Sequence, residues 1–281
     1  MYRKIIYIKA WGGLGDIVLS TPLLKELKQK ENKRIVMLCI TSKYKEIYDN
    51  NPYIDSILLL NKINKLIFRV LANLKLIEII SFNYAKLLPS MLFEEHATKI
   101  MGRLYNISIK SLTPQIYLKT EENLEAQEIL KEYKHPIIIH AATSLYKNKL
   151  WSKDKWEKLV GSIPSYTFIQ IGSEDEDRIK GTVNLQGLTI RKSMALIKYS
   201  KALVGLDSFY AHVAAAFEVP GIVLFGPSSP LIWGHKTNIN IKANVFCSPC
   251  IDLLRNDTCP HEVLCMDLID LKEVREAILS I

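Results

Sequence analysis

Residues 4–40 have the sequence KIIYIKAWGGLGDIVLSTPLLKELKQKENKRIVMLCI. The segment opens with an apolar run of strand length, and a glycine turn at 12–15 follows it. Asp16 stands where an N-cap or first-turn acid suits a helix, and the helical pattern continues to Lys30. A second apolar run occupies residues 34–40. Strand, helix and strand in this order form a βαβ unit, which predicts a parallel sheet.

The carboxyl half repeats this alternation after a polar stretch and a helix that ends near Lys134. The apolar runs that predict its strands are residues 136–140, 166–171, 202–206 and 221–225. Two βαβ series joined by one linker helix predict an α/β fold of two Rossmann-like, doubly wound domains, residues 1–120 and 121–281. Ligands of such sheets bind beyond the carboxyl ends of the strands, so we expect the active site in the cleft between the domains.

The composition is that of a globular protein, with 281 residues, 48% of them hydrophobic, and a net charge of +8. The excess of positive charge favours an acidic partner such as a nucleotide, a phosphorylated glycan or an anionic membrane surface, although simple solubility explains it as well. The chain has neither an arginine-rich tract nor basic residues interleaved with aromatic ones. Nucleic acid is therefore not expected as a partner.

Residues 57–80 have a helical and unusually apolar pattern in which Lys62, Lys65 and Arg69 share one face. This helix is the best candidate for peripheral contact with the cytoplasmic face of the inner membrane. The alternative is a core helix with a solvated basic face. The first residues do not have the build of a signal peptide, and no apolar run reaches about eighteen residues, so we expect a cytoplasmic protein.

Polar residues follow several of the predicted strands. The loop after the 136–140 strand offers the hydroxyls of Thr143 and Ser144 and the charges of Lys147 and Lys149. A lysine at that place would neutralise a diphosphate leaving group without a metal ion. No Asp-x-Asp pair stands in such a loop to chelate a nucleotide-bound divalent ion, and the acids at 174–177 suggest a solvated helix start.

Two further loops follow the strands at 202–206 and 221–225. In the first, Asp207 and Ser208 stand at a strand-to-helix corner, with His212 one turn into the helix; the second contains Gly226. An acid and a hydroxyl at a helix start would hold sugar hydroxyls, and free backbone amides there would hold a phosphate. A plain helix cap is the alternative at both this corner and the glycine turn. The glycine turn matches neither the G-x-G-x-x-G motif nor a Walker motif. Binding of NAD and hydrolysis of ATP are therefore both disfavoured.

These motifs together resemble glycosyltransferase family 9, the ADP-heptose:lipopolysaccharide heptosyltransferases. Residues 13–22, GLGDIVLSTP, are similar to the amino-terminal signature of that family, and residues 149–151 to its Lys-x-Trp. Residues 207–212 followed by 225–227, FGP, are similar to its carboxyl-terminal signature. The resemblance implies a GT-B fold, an inverting transfer that needs no catalytic metal or other cofactor, and an ADP-heptose donor.

The resemblance also assigns roles to single residues. Asp16, in the loop with Gly13 and Gly15, matches the base that deprotonates the acceptor hydroxyl. The residues that match the donor-binding positions are Thr143, Ser144, Lys149, Asp207, Ser208, Phe209, His212 and Gly226. The family usually has glycine where this chain has Phe209. The chain is also shorter than most members in its amino-terminal half, which leaves the acceptor less defined than the donor.

Four of the five cysteines lie in a loop at residues 247–265, as Cys247, Cys250, Cys259 and Cys265. One C-x2-C pair with two further cysteines suits a structural Zn or Fe site, with His261 as a substitute ligand. Free thiols and disulfides are the alternatives, although crowding of this kind in a cytosolic chain favours metal. Similar cysteines occur in many members of the family, including its protein heptosyltransferases.

The sequence therefore predicts an enzyme that moves a heptose or a related sugar from an ADP-sugar to a cell-surface glycan such as the lipopolysaccharide core. Two alternatives remain open at this point. One is transfer of the sugar to a protein acceptor, and the other is a nucleotide-sugar binding protein without catalysis. The joint presence of Asp16, Lys149 and Asp207 argues against the second.

Overall fold

A computed structural model describes residues 5–31, 33–85, 95–143, 146–250 and 259–281. The chain separates into two compact units at Lys119 and Thr120, next to the boundary that the sequence predicts. Unit 1 contains the described residues up to Lys119, and unit 2 those from Thr120 onward. The acceptor and donor roles of the two domains, and a site in a cleft between them, stay predictions.

Unit 1 is built on a parallel sheet of four strands in the order β3-β2-β1-β4. Its elements are β1 (Ile5–Lys9), α1 (Leu14–Leu19), α2 (Thr21–Glu31), β2 (Arg34–Cys39), α3 (Ser42–Tyr48), β3 (Ser56–Leu59), α4 (Lys62–Asn73), β4 (Ile79–Ile80) and α5 (Ala97–Leu104). The predicted opening βαβ unit is confirmed, since β1 and β2 pair in parallel from Ile5↔Arg34 to Lys9↔Leu38.

The single helix predicted up to Lys30 is wrong in one respect, because α1 ends before Ser20 and α2 starts at Thr21. Pro22 is the physical reason: it has no N–H to donate to the carbonyl four residues earlier, and its ring disfavours a continuous helix. The hydroxyls of Ser20 and Thr21 donate instead to the carbonyls of Ile17 and Val18.

The prediction of one helix over residues 57–80 is also wrong. The segment is a strand, a helix and a strand, because its two ends pair with β2 and β1 at the edges of the sheet. Only the central part, α4, is helical. No residue of α4 is buried by the part of the chain that the structure describes, so the alternative of a core helix is wrong as well.

Unit 2 is built on a parallel sheet of six strands in the order β10-β9-β8-β5-β6-β7. Its elements are α6 (Thr120–Leu130), β5 (Pro136–His140), α7 (Lys153–Gly161), β6 (Thr167–Gln170), β7 (Val183–Asn184), α8 (Ile190–Tyr199), β8 (Ala202–Leu206), α9 (Phe209–Ala216), β9 (Gly221–Leu224), α10 (Pro230–Trp233), β10 (Asn238–Ile241), α11 (Leu264–Asp267) and α12 (Leu271–Leu279). The strands predicted at 136–140 and 202–206 are confirmed at both ends, and those near 166 and 221 are slightly shorter.

The strand order places the ligand-binding edge of each sheet. When the strands of unit 2 are counted from β5, their order is the 3-2-1-4-5-6 arrangement of dinucleotide-binding sheets. Successive strands are added to one side of β5 up to β7 and to its other side from β8 onward; in unit 1 the same change of side falls between β1 and β4. Loops diverge at such a switch point and leave a crevice at the carboxyl ends of the strands. The loops after these four strands are therefore the expected positions of a ligand-binding site.

Candidate active site

The switch point of unit 2 holds a buried ion pair. Asp207 directly follows β8, and Lys149 ends a short 3-10 helix, Lys147–Lys149, in the loop after β5. The Lys149 Nζ donates to Asp207 Oδ2 at 2.7 Å and lies 3.3 Å from the Asp207 carbonyl oxygen. The two side chains are only 12% and 4% exposed. The structure thus brings together two residues that are far apart in sequence and that the resemblance assigned to the donor.

The surroundings keep Asp207 ionised. Burial raises the pKa of its carboxyl, but the charges of Lys149 and His212 and the hydrogen bond from Lys149 outweigh burial, so the pKa lies below its ordinary value. The Lys149 ammonium also lies 5.6 Å from the Tyr146 ring centroid and 5.7 Å from that of Trp233. Aromatic faces attract a cation, so Lys149 has favourable contacts besides its carboxylate.

His235 belongs to the same cluster, although the sequence did not predict it. Its Nε2 lies 2.8 Å from Nδ1 of His212, and both rings are buried. Burial and the nearby His212 lower the pKa of His235 to about 3, so this ring is neutral at neutral pH. One nitrogen of the pair carries the shared proton, which fixes the tautomer relation between the rings. His235 follows α10 with no motif around it, so no sequence signal pointed to it.

The other predicted donor residues lie around this cluster in different ways. The Thr143 hydroxyl accepts a hydrogen bond from the Tyr146 N–H at 3.4 Å, which helps to shape the loop after β5. Ser144 lies outside the described residues. Ser208 is the N-cap of α9 but makes no capping bond, and its hydroxyl lies 3.4 Å from His140 Nδ1. Phe209 opens α9 with its ring against that of Tyr210, at 4.9 Å between centroids.

Gly226 has a packing role in this structure. A Cβ built at this position would collide with the thioether of Met266 and approach the Cys265 sulfur to 3.3 Å. The absence of a side chain therefore lets the loop after β9 pack on the carboxyl-terminal segment. The contact of Gly226 with a donor stays a prediction.

The acids at 174–177 do not begin a helix, which corrects that expectation. They lie in a turn after β6, where the half-buried Glu176 places Oε2 3.6 Å from His140 Nε2. Burial raises the pKa of the Glu176 carboxyl, yet the hydrogen bond and charge of nearby His140 bring it below its ordinary value. Gly172, at φ +142°, makes room for this carboxylate, because a Cβ there would overlap it. A buried histidine thus links Glu176 to Ser208.

Unit 1 has a comparable cluster at its own switch point. Asp16 lies in the first turn of α1, after β1, and Tyr84 follows β4. The Tyr84 hydroxyl donates to Asp16 Oδ1 at 2.5 Å, and the Gly13 N–H donates to Oδ2 at 2.8 Å. Gly15 lies half-buried in the same turn. The helix-cap alternative is therefore correct for one oxygen of Asp16, while the other oxygen accepts from a tyrosine that no sequence motif indicated.

The cysteine loop lies beside Gly226. The Cys250 N–H donates to the Pro227 carbonyl at 2.9 Å, and the Ser248 hydroxyl donates to the Gly226 carbonyl at 2.6 Å. All four cysteines of the loop are free thiols. Burial and then the neighbouring thiols raise the pKa of Cys250, and the same causes raise that of Cys265 to about 11. The thiols are thus neighbours, although no three metal-ligating side chains among the described residues converge on one point.

Two units of parallel sheet with polar loops at their switch points are the architecture of the GT-B glycosyltransferases. Residues 90–258 match the model of glycosyltransferase family 9 (heptosyltransferase), and the chain belongs to this family. Lipopolysaccharide heptosyltransferase 1 of Salmonella typhimurium is 24% identical over 161 residues, which cover 52% of this chain and 50% of that protein. The Pseudomonas aeruginosa enzyme of the same name is 25% identical over 151 residues, 48% of this chain and 41% of that one. The matches thus span about half the length of these relatives.

Solved structures confirm the GT-B fold. A family 9 glycosyltransferase from Veillonella parvula has a TM-score of 0.74 at 16% identity, covering 100% of this chain and 97% of that one. The iron-containing dodecameric glycosyltransferase TibC from enterotoxigenic E. coli has a TM-score of 0.77 at 14% identity, covering 99% and 76%. E. coli ADP-heptose lps heptosyltransferase II has a TM-score of 0.67 at 16% identity, covering 99% of each chain.

Proposed function

We propose that this protein transfers a heptose or a related sugar from an ADP-linked donor to a cell-surface glycan such as the lipopolysaccharide core. The observation that carries the proposal is the buried Lys149–Asp207 pair at the switch point of the unit 2 sheet. Membership of family 9 supports the reaction class. A second structure of TibC, in complex with ADP-D-beta-D-heptose, has a TM-score of 0.72, which supports the choice of donor.

In the proposed reaction, Asp16 acts as the general base. Tyr84 and the Gly13 N–H donate hydrogen bonds to its two carboxylate oxygens, which hold the carboxylate in a fixed position at the start of α1. Asp16 takes the proton of the acceptor hydroxyl as that oxygen forms a bond to the anomeric carbon. The bond from this carbon to the diphosphate oxygen breaks on the opposite face, so the configuration inverts.

The diphosphate leaves with the electron pair of the broken bond. We assign Lys149 to offset the charge that develops on this leaving group, a role that preorganised cations fill in phosphate-transferring sites. Asp207 holds the ammonium in place at 2.7 Å before the donor arrives, and the Tyr146 and Trp233 rings limit where it can turn. No divalent ion is part of this mechanism.

The test is calorimetric titration with ADP, ADP-linked and UDP-linked sugars, followed by transfer of labelled sugar in EDTA. Lys149→Ala should weaken ADP binding by about 10–100-fold, the value of a charge-assisted hydrogen bond. Lys147→Ala is the matched control, because it removes an exposed lysine from the same short helix and should change binding little. Equal effects of the two variants, or activity that strictly requires a divalent ion, would contradict the proposal.

A protein acceptor is the second candidate, because the cysteine loop resembles that of many family members, and these include protein heptosyltransferases. Incubating the enzyme and labelled donor with lipopolysaccharide core oligosaccharide or with protein acceptors distinguishes the two. A nucleotide-sugar binding protein without catalysis would give binding of the donor and no transfer to either. The joint presence of Asp16, Lys149 and Asp207 argues against this last case.

We also propose that the cysteine loop holds a structural zinc or iron ion, with Cys247, Cys250, Cys259 and Cys265 as the residues that would hold it. Four thiols suit these metals by donor type, and bound metal would remove the protons that burial and mutual repulsion now retain. The described side chains have to move closer together to coordinate one ion. The role would be to order the loop beside Gly226, with no part in the transfer. A cytoplasmic location likewise stays a prediction.

A further inference from the structure

Helix α4 has an apolar face that the rest of the described chain leaves exposed. Ile63, Ile67, Val70 and Leu74 follow one another at spacings of four, three and four residues, which places them in one stripe. Ile63 is 69% exposed and Leu74 63% exposed, and Leu66 and Leu76 are exposed beside the stripe. Single exposed leucines are ordinary on a protein surface, but a contiguous apolar patch marks an interaction site.

The opposite face of α4 accounts for its attachment to unit 1. Asn64, Phe68, Leu71 and Ala72 are half-buried, and the Phe68 ring lies edge-on to that of Tyr7 in β1 at 5.2 Å. The helix is also capped, because the Asn61 side chain accepts from the Asn64 N–H at 2.8 Å. The helix is thus fixed to its sheet by one face and presents the apolar stripe on another.

Positive charge lies on a third, exposed side of the helix. Lys62, Lys65 and Arg69 follow one another along the helix, and Lys75 comes just after it. The sequence has no Asp or Glu from residue 57 to residue 77. An apolar stripe beside a purely basic one is the pattern of a helix that lies in the plane of a membrane interface.

We propose that α4 docks the protein on an anionic lipid surface, with Ile63, Ile67, Val70 and Leu74 in the acyl boundary and the basic side chains on the headgroups. The net charge of +8 adds long-range attraction to such a surface. A second copy of the chain is the competing occupant, because the spacing of the stripe also suits helix pairing. Two α4 helices side by side would bring their basic borders together without any acid between them, which repels.

The test is flotation of the full chain with vesicles of phosphatidylcholine alone or with phosphatidylglycerol, at low and high salt. Wild type should bind only the phosphatidylglycerol vesicles, and high salt should weaken binding. Lys65→Glu with Arg69→Glu should weaken it by about thirtyfold or more, since each basic side chain contributes about fivefold. Ile63→Gln with Leu74→Gln, which alters exposed side chains and spares the fold, should weaken it by about tenfold or more.

Matched controls come from exposed residues of unit 2. Lys131→Glu with Lys158→Glu changes the net charge by the same amount, and Leu124→Gln with Leu268→Gln replaces the same number of exposed apolar side chains. Both control variants should bind vesicles within about threefold of wild type, because only the α4 surface touches lipid. Controls that lose as much binding as the α4 variants, or a wild type that does not float with phosphatidylglycerol, would overturn the proposal.

Light scattering without lipid tests the competing occupant. A wild-type dimer that Ile63→Gln with Leu74→Gln converts to monomer, with no vesicle binding, would assign the stripe to a second copy and overturn the lipid assignment. The proposal goes beyond the transferase reaction and does not depend on it. ADP binding by calorimetry should be equal in wild type and all four double variants, so loss of vesicle binding is read separately from loss of the donor site.

Discussion

Breaking the Lys149–Asp207 pair should show how strongly the unit 2 site depends on it. We consider Lys149→Met, which keeps the length of the side chain and removes its charge, Asp207→Asn, and the two together. In Lys149→Met the Asp207 carboxylate stays 4% exposed but loses its partner at 2.7 Å. Lys147→Met serves as the control because that lysine is exposed.

The size of the effect follows from burial. Removing one partner of a buried pair costs about 3–5 kcal/mol of unfolding free energy. Protonating an ordinary aspartate at pH 7 costs about 4 kcal/mol, which limits the penalty because Asp207 can take a proton instead. We therefore expect about 3–4 kcal/mol for Lys149→Met. Asp207→Asn should cost about 1–2 kcal/mol, since the Lys149 ammonium retains the Tyr146 and Trp233 rings.

The pH dependence has a definite sign. The pKa of Asp207 is lowered in the folded protein, so its ionised carboxylate stabilises the fold. This stabilisation is fully present above the pKa that Asp207 has in the unfolded chain. It is lost as pH falls through the lower pKa of the folded protein. In Lys149→Met the main lowering charge is gone while burial remains, so Asp207 binds a proton at higher pH than in wild type. The difference in unfolding free energy between the two proteins should therefore be largest near neutral pH and shrink toward about pH 4.

Urea unfolding followed by tryptophan fluorescence measures these energies, because Trp151, Trp156 and Trp233 all lie in unit 2. The double variant should cost less than the sum of the single ones, with a coupling of about 2 kcal/mol. Additive effects within about 0.5 kcal/mol, or a cost that does not change with pH, would refute the reasoning. The control Lys147→Met should lie within about 0.5 kcal/mol of wild type.

Three further outcomes are expected. Asp16→Asn should lower turnover by about 10²–10⁴-fold with ADP affinity unchanged, and turnover within threefold of wild type would remove its role as base. His235→Phe keeps a ring but loses the hydrogen bond to His212, so the free energy of unfolding should fall by about 1–2 kcal/mol; an unchanged urea midpoint would contradict this. Protein purified without a metal-binding tag should contain about one zinc or iron per chain, lost together with thermal stability in Cys247→Ser; metal-free protein with four titratable thiols would disprove that site.

Some elements of the fold could be predicted because their signal is local. The strands at 136–140 and 202–206 are short, mainly apolar runs that follow polar residues, and burial of both faces of a parallel sheet requires such runs. The error over residues 57–80 has the opposite cause. Its terminal apolar stretches, β3 and β4, are strands only because β2 and β1 offer them free edges to pair with, and no local pattern records that partner.

The sequence by itself determined the family, the parallel α/β class and the positions of Asp16, Lys149 and Asp207, because motif spacing and apolar periodicity are written along the chain. Only the tertiary structure decided which of these residues meet. Strand order brings the loops after β5 and β8 together, so Lys149 and Asp207 pair across 58 positions of sequence. It likewise joins Tyr84 to Asp16 across 68 positions and His235 to His212 across 23. These contacts depend on the order of the strands within each sheet, which no single segment encodes.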